Sequence, residues 1–151
     1  MQFQVRSIPQ DVADEVRRTR VSPGYGHPAH LELARGTGPC RCCLRQFTPG
    51  QEQRLLFTYR PAAGQALNAP GPVFIHAEHC EAWSGEGFPP GLRGLPLALE
   101  ARAAGSRVTA LTTDHEHAPE SRIEALFAAG AEWLHLRNAE AGCFIATIVM
   151  A

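Results

Sequence analysis

Two short segments of this chain carry cysteine and histidine side chains at spacings that suit a metal ion. Cys40 and Cys43 form a C-x-x-C motif, and His76 and Cys80 form an H-x-x-x-C motif. A two-residue gap lets a tight loop turn both thiolates toward one ion. On a helical turn, positions i and i+4 share a face, so the second pair can meet the same ion. Together they supply Cys3His, a set that closes a tetrahedral structural zinc site. Zinc is the only cofactor that the sequence predicts.

The same side chains also fit a simpler role. Free cysteine is often buried as a small hydrophobic residue, so the motif cysteines could serve only to pack. His79 is an alternative to His76, because His76 can continue a preceding strand and point its ring into the core. The ligand set predicted from spacing therefore leaves packing open as an alternative.

A cysteine-dependent enzyme is the second hypothesis, because a thiolate beside a histidine is a nucleophile pair. The candidate thiols are Cys43, Cys80 and Cys143, and the candidate bases are His76 and His135. A redox dithiol is a third interpretation, which the context disfavours. Thioredoxin-like motifs follow a strand and open a helix, whereas this C-x-x-C motif follows a Gly/Pro-rich loop.

A small-ligand pocket is a further alternative. Arg137 and Asn138 come at the end of a predicted strand, where an arginine can bind a carboxylate. We therefore predict Arg137 and Asn138 as ligand-binding residues, with the ligand itself unknown. An ordinary hairpin loop, with Arg137 paired to Glu140, explains the same segment.

Composition restricts the class of protein and the class of chemistry. The 151 residues, 44 % of them hydrophobic and 19 % charged, predict one globular domain over residues 1–151. Its net charge is -1, so we expect no nucleic-acid partner. All 14 basic residues are arginine, which excludes a Schiff-base lysine and a phosphate-loop lysine.

The cysteine count and the N-terminal sequence indicate a reducing compartment. No secretory signal opens the chain, and no apolar stretch approaches the roughly 20 residues that span a bilayer. We therefore expect a cytoplasmic location without membrane association. Five cysteines are an odd number, which argues against a complete disulfide framework. The oligomeric state stays open, a dimer included.

The elements that must position these residues follow from hydrophobic periodicity and from Gly and Pro. Long Gly/Pro-rich stretches at 21–39 and 84–96 predict loops, and residues 77–83 predict a helical turn. The fold class is α+β, with a largely antiparallel sheet of about six or seven strands and two main helices. The predicted strands are 2–7, 52–60, 73–75, 97–103, 107–112, 132–136 and 143–149, and the predicted helices are 9–20 and 119–129.

Several segments, in this order, resemble a known bacterial family, the domain of unknown function 1203. They cover most of the chain: residues 39–45, 55–61, 71–77 with Cys80, 137–138 and 142–144. The resemblance implies a bacterial source and adds no reaction. It implies that Cys40, Cys43, His76, Cys80 and Cys143 belong together, and that Cys42 and His79 are extra. The chain departs from the family pattern at 67–70 and 99–102.

Overall fold

The computed structural model describes residues 2–61, 68–103, 107–114 and 119–151, and the turn that links the strands predicted at 97–103 and 107–112 lies outside them. These residues form eight strands, two α-helices and one short 3-10 helix. The elements are β1 Phe3–Arg6, α1 Gln10–Thr19, β2 His30–Leu33, β3 Gln53–Tyr59, β4 Gly71–His76, the 3-10 helix Pro90–Leu92, β5 Leu97–Ala103, β6 Arg107–Asp114, α2 Glu120–Ala128, β7 Trp133–Asn138 and β8 Phe144–Met150.

Five strands form the larger sheet, in the order β1-β8-β7-β5-β6, and every pairing in it is antiparallel. Alternate side chains of its strands point to one face, as the period of two requires. On β5 this face carries Leu97 and Leu99, which pack in one buried cluster with Ile123 and Phe127 of α2. The larger sheet and α2 therefore share the first hydrophobic core.

Three strands form the smaller sheet, in the order β2-β3-β4, again antiparallel. Leu55 of β3 and Ile75 of β4 are directly opposite each other and fully buried. They share a second cluster with Ala13 and Val16 of α1 and with four of the five cysteines, namely Cys40, Cys42, Cys43 and Cys80. The cysteines thus belong to the core of the smaller sheet.

Helix α1 begins and ends where its sequence predicts. Pro9 precedes its first residue, and Asp11 in the first turn and Arg17 in the last turn suit the helix dipole. Arg20 follows the helix in the left-handed region, with φ of 57°, and its N–H donates to the carbonyl of Val16 at 2.8 Å. The left-handed Arg20 therefore ends the helix.

The predicted class is confirmed, because the chain combines two helices with antiparallel sheet. The strands divide between two sheets, which the strand order alone could not indicate. The loop predicted over 21–39 contains β2, and that prediction is wrong in this part. Strand β2 pairs along β3 from His30 to Leu33, so its partner rather than its own composition makes it extended.

The helical turn predicted at 77–83 is wrong as well. The backbone there bonds to distant segments instead of to itself: the N–H of Ala77 donates to Gln53, and that of Trp83 donates to Cys42. Separately, no helix within the described ranges has the length and apolar character that crossing a membrane requires.

His135 is a fully buried histidine in the middle of the larger sheet. Among the groups that the structure describes, neither ring nitrogen has a hydrogen-bond partner. Its Nδ1 lies 3.7 Å from the Glu100 carboxylate, too far for a hydrogen bond. Burial, reinforced by Arg137 and Arg102 and opposed by Glu100, lowers the pKa of His135 to about 4. The imidazole is therefore neutral in the folded protein at neutral pH.

This burial predicts an acid-sensitive contribution to stability. Between an unfolded pKa of about 6.5 and the folded value of about 4, only the unfolded chain gains the proton. Stability is therefore lost as pH falls through this window, by at most roughly 3 kcal/mol from this group. We expect His135→Leu to unfold at or above the wild-type denaturant midpoint at pH 7, and to lose less stability than wild type between pH 7 and 4.5. Equal losses in the two proteins would contradict this role.

Candidate metal centre

The first pair of cysteines lies on a tight turn, residues 39–46, which we call the knuckle. Its ends meet in a bridge between Pro39 and Gln46. Inside it, the N–H of Leu44 donates to the carbonyl of Cys40 at 2.8 Å, and the N–H of Cys40 donates to that of Arg45 at 2.9 Å. Leu44 adopts φ of 60°, which a residue with a side chain rarely does. These bonds close the backbone and direct the thiols of Cys40 and Cys43 to one side.

The second pair is positioned by contacts from other segments. His76 is the last residue of β4, so the sheet fixes its place. Cys80 follows in a segment without regular secondary structure, which the side chain of Gln10 holds by two hydrogen bonds. The side-chain amide N–H of Gln10 donates to the carbonyl of Cys80 at 3.0 Å, and the side-chain oxygen of Gln10 accepts the N–H of Ala82 at 2.7 Å. Helix α1 thus holds Cys80 in place of the predicted helical turn.

The structure brings the four predicted ligands together. The ligand atoms of Cys40, Cys43, His76 and Cys80 all lie within 4.8 Å of one another. The sulfurs of Cys40 and Cys80 are 3.8 Å apart, and Nδ1 of His76 is 3.5 Å from the sulfur of Cys43. All four residues are at most 7 % exposed. We call this set the Cys/His cluster, and it could hold a metal ion.

The imidazole of His76 is oriented by a carboxylate on its far side. Its Nε2 lies 2.7 Å from the Glu52 carboxylate, which also accepts the backbone N–H of Thr48 at 2.7 Å. Burial acts to raise the pKa of Glu52, but Thr48 and His76 lower it overall. Glu52 therefore stays ionised and directs Nδ1 toward the three sulfurs. A carboxylate behind a ligating histidine is the usual outer partner in metal sites.

Donors of hydrogen bonds surround the sulfurs. The guanidinium of Arg17, on α1, donates to the sulfur of Cys80 at 2.9 Å and to the carbonyl of His76 at 3.0 Å. The backbone N–H of His76 donates to the sulfur of Cys40 at 3.2 Å. Bonds of this kind favour the charged thiolate form. These donors can stabilise thiolate sulfur at Cys40 and Cys80, although the pKa of both thiols is raised in the cluster without an ion.

Protons and metal ions compete for this set of atoms. The thiols of Cys40 and Cys80 lower the pKa of Cys43, while burial raises the pKa of Cys40. Hydrogen bonds to Cys40 and Cys43 raise the pKa of His76 to about 10. Because a metal binds only deprotonated thiol and imidazole, binding must release protons, and metal affinity must fall as pH falls.

The knuckle also connects the two cores. Leu44 is buried in the core of the larger sheet, whereas Cys40 and Cys43 are buried in that of the smaller sheet. Between them, Arg41 donates from Nε to the carbonyl of Phe144 on β8 at 2.8 Å, and its backbone N–H donates to Phe74 on β4 at 2.9 Å. The Cys/His cluster therefore lies where the sheets join.

The candidate catalytic residues come together only within the Cys/His cluster. His76 contacts Cys43 and not Cys143. Among the described residues, no histidine lies within hydrogen-bond distance of the Cys143 thiol, which is half-buried at the start of β8. His135 is enclosed within the larger sheet, where its ring packs edge-on against Phe144. The structure thus brings His76 and Cys43 together as part of the metal set, and within the described residues it pairs neither Cys143 nor His135 with another candidate.

The predicted ligand-binding residues lie elsewhere. Arg137 faces Glu100 at 3.4 Å and donates to the carbonyl of Gly142 at 3.2 Å, so its charge already has a partner. The side-chain oxygen of Asn138 accepts the backbone N–H groups of Glu140 and Ala141. That bond pattern fixes the loop between β7 and β8.

Cys42 and His79, the two residues that were not expected to be ligands, lie outside the Cys/His cluster. Cys42 is fully buried, with its sulfur 3.6 Å from the carbonyl of Cys80, so it packs beside the cluster. His79 is exposed and faces Asp14 at 3.5 Å.

Two residues that contact the cluster, Glu52 and Arg17, were not predicted from the sequence. The pairing of β3 with β4 would have pointed to Glu52, which directly precedes the strand opposite His76; no sequence signal pointed to Arg17.

Comparison with known protein families identifies the chain. The family model described as "Protein of unknown function (DUF1203)" matches residues 37–149, well over half of the chain, and the chain belongs to this family. The predicted resemblance is therefore confirmed, and the matched range includes all four residues of the Cys/His cluster. No curated protein and no solved structure matches the chain.

The close approach of Gly91 to the knuckle gives a test of its geometry. A Cβ on Gly91 would lie 2.5 Å from the carbonyl oxygen of Leu44 and 2.9 Å from Cα of Arg45, both backbone atoms. Because backbone cannot move aside, we expect Gly91→Ala to lower the free energy of unfolding by about 1–3 kcal/mol. Gly36→Ala is the matched control, since its Cβ meets nothing within 4 Å. Chemical denaturation measures both variants, and equal stabilities would contradict the close packing.

Proposed function

We propose that this member of the family is a zinc-binding protein, in which the Cys/His cluster holds one structural zinc ion. The observation that carries the proposal is the convergence of four buried ligand atoms within 4.8 Å of one another. They come from two segments that the sheet and α1 position independently. Three sulfurs and one imidazole nitrogen match a known composition of structural zinc sites.

The donor set favours zinc over other common ions. Calcium and magnesium prefer oxygen ligands, and the cluster offers sulfur and nitrogen. Tetrahedral sulfur-rich sites are typical of zinc or iron–sulfur centres. Iron–sulfur clusters are held chiefly by cysteine thiolates, whereas one donor here is Nδ1 of His76, held by Glu52. Zinc fits both the mixed donors and the outer carboxylate.

A structural role fits better than a catalytic one. Catalytic zinc sites keep one position for water, whereas structural sites are closed by four protein ligands. Here four protein ligands are available and all are buried. The ion would join the knuckle to the end of β4 and to the chain before Trp83. On this account residues 1–151 behave as one domain, with the ion at the junction of its sheets.

The same proposal bears on the compartment. All five cysteines lie in the described part of the chain, and none forms a disulfide. A reducing environment such as the cytoplasm keeps thiols available as ligands. We extend the proposal to a cytoplasmic bacterial protein that acquires zinc as it folds.

Zinc content and its link to folding test the proposal. Untagged protein should contain about one zinc per chain by elemental analysis, because a single closed set of ligands is present. A strong chelator should abolish the cooperative unfolding transition, since structural zinc supplies folding free energy. Cys43→Ser should lose the ion, whereas Cys143→Ser, outside the cluster, should retain it. Zinc-free protein that unfolds like the untreated protein would contradict the structural role.

The outer carboxylate gives a second test. Glu52→Ala removes the partner of Nε2 on His76, and loss of such partners typically lowers metal affinity by about 10–100-fold. Competition with a chromogenic chelator measures the affinity. Glu78→Ala is the control, because Glu78 is exposed and close to His76 in sequence. If both variants bind zinc as tightly as wild type, Glu52 does not orient the ligand.

A further inference from the structure

A cleft of about 360 Å³ lies beside the knuckle, on the side facing β8. Its volume falls in the range of small-molecule sites, about 300–1,000 Å³. Its walls come from the knuckle, from β3 and β4, and from the loop between β7 and β8. These walls are mostly apolar, and their lining side chains include Leu56, Phe74, Arg41, Asn138, Ala141 and Cys143.

Arg41 brings a buried positive charge to this cleft. It is 5 % exposed, and it donates from Nε to Phe144 and from Nη1 to Pro39, both neutral carbonyls, at 2.8 Å. In the described ranges no carboxylate lies within ion-pair distance of it, and no protein acceptor is bonded to its Nη2. A guanidinium stays charged at neutral pH. A buried charge without a counter-ion is costly.

The thiolates of the metal centre do not need this charge. Three thiolates and one divalent ion leave one negative charge, and Arg17 already donates to the sulfur of Cys80 at 2.9 Å. Arg54, the other arginine on the cleft, is paired with Glu32 at 2.8 Å. Arg41 alone brings to the cleft a charge that no carboxylate balances.

We propose that this cleft binds a small organic carboxylate, with the Arg41 guanidinium as the anion anchor and the apolar walls around the rest of the ligand. Arginine presents planar donors that match a carboxylate. Walls such as Leu56 and Phe74 favour an apolar body over a hydrated inorganic anion. The inference does not depend on which metal the cluster holds. It places the anion anchor predicted near the C-terminus at Arg41 instead of Arg137.

Cys143 supplies a built-in reporter for this site. It lines the cleft and is half-buried, whereas the other four cysteines are buried. Iodoacetate and iodoacetamide alkylate thiols and differ in charge, so their rate ratio reports an anion site beside the thiol. In the intact zinc-loaded chain, we expect the iodoacetate-to-iodoacetamide ratio at Cys143 to exceed that of N-acetylcysteine by roughly tenfold. A ratio equal to that of N-acetylcysteine would overturn the proposal.

Competition defines the class of ligand. Benzoate should protect Cys143 from both reagents in a saturable way, because it combines a carboxylate with an apolar ring. Benzamide, which lacks the charge, should protect much less. Inorganic phosphate, which lacks the apolar body, should also protect much less. Equal protection by benzoate and benzamide would remove the role of Arg41, and equal protection by phosphate would overturn the organic class. Mass spectrometry of the labelled peptide measures each rate.

Variants separate the site from general reactivity. Ala141→Phe places a ring in the cleft and should abolish benzoate protection, whereas Ala128→Phe, on an exposed alanine at the end of α2, should leave it unchanged. Arg41→Gln should lower the rate ratio to that of N-acetylcysteine. Because Arg41 also supports the knuckle, the zinc content of Arg41→Gln is measured first. If that variant has lost zinc, the result for Ala141→Phe decides the test. Full benzoate protection in Ala141→Phe would contradict the proposal.

Discussion

Three thiol groups and one imidazole meet in a space that is almost closed to water, at the point where the two sheets join. Bringing these polar groups together without a partner is unfavourable, because thiolates repel one another and buried polar groups lose their hydration. In the proposed function, an ion with two positive charges would resolve that conflict, and the donors from Arg17 and from the backbone of His76 would share the remaining charge. Three segments position the four side chains: the knuckle, the end of β4 and the chain around Cys80.

Residues of the knuckle and of the chain after Cys80 also contact the larger sheet. Arg41 reaches β8 of the larger sheet, and Leu44 enters its core. The carbonyl of Cys42 accepts the N–H of Trp83, which packs against the same core. The knuckle therefore contacts both sheets. The left-handed backbone of Leu44 carries a strain of about 1 kcal/mol or more, and burial of its side chain offsets that cost.

Local patterns in the sequence were sufficient where structure depends on neighbours along the chain. The spacing of Cys40, Cys43, His76 and Cys80 predicted the set that converges, and the turn residues that follow residue 103 in sequence predicted β5 with its observed bounds. Prediction failed where distant segments decide. Gln10 and Gln53 take the hydrogen bonds that a helical turn at 77–83 would have made. Strand β2 exists because β3 lies beside it, and Arg17 reaches Cys80 only through the packing of α1. The sequence pointed to Arg137 and not to Arg41 as an anion anchor, and only the structure shows that Arg137 faces Glu100.

The identity of the atoms around the ion is the most direct test of the central claim. X-ray absorption spectroscopy at the zinc edge counts them in the purified chain. The account predicts three sulfurs at about 2.3 Å and one nitrogen at about 2.0–2.1 Å from the zinc. Four sulfurs would show that Cys42 replaces His76 as a ligand. A first shell dominated by oxygen, or no bound zinc at all, would contradict the Cys/His cluster as the metal centre.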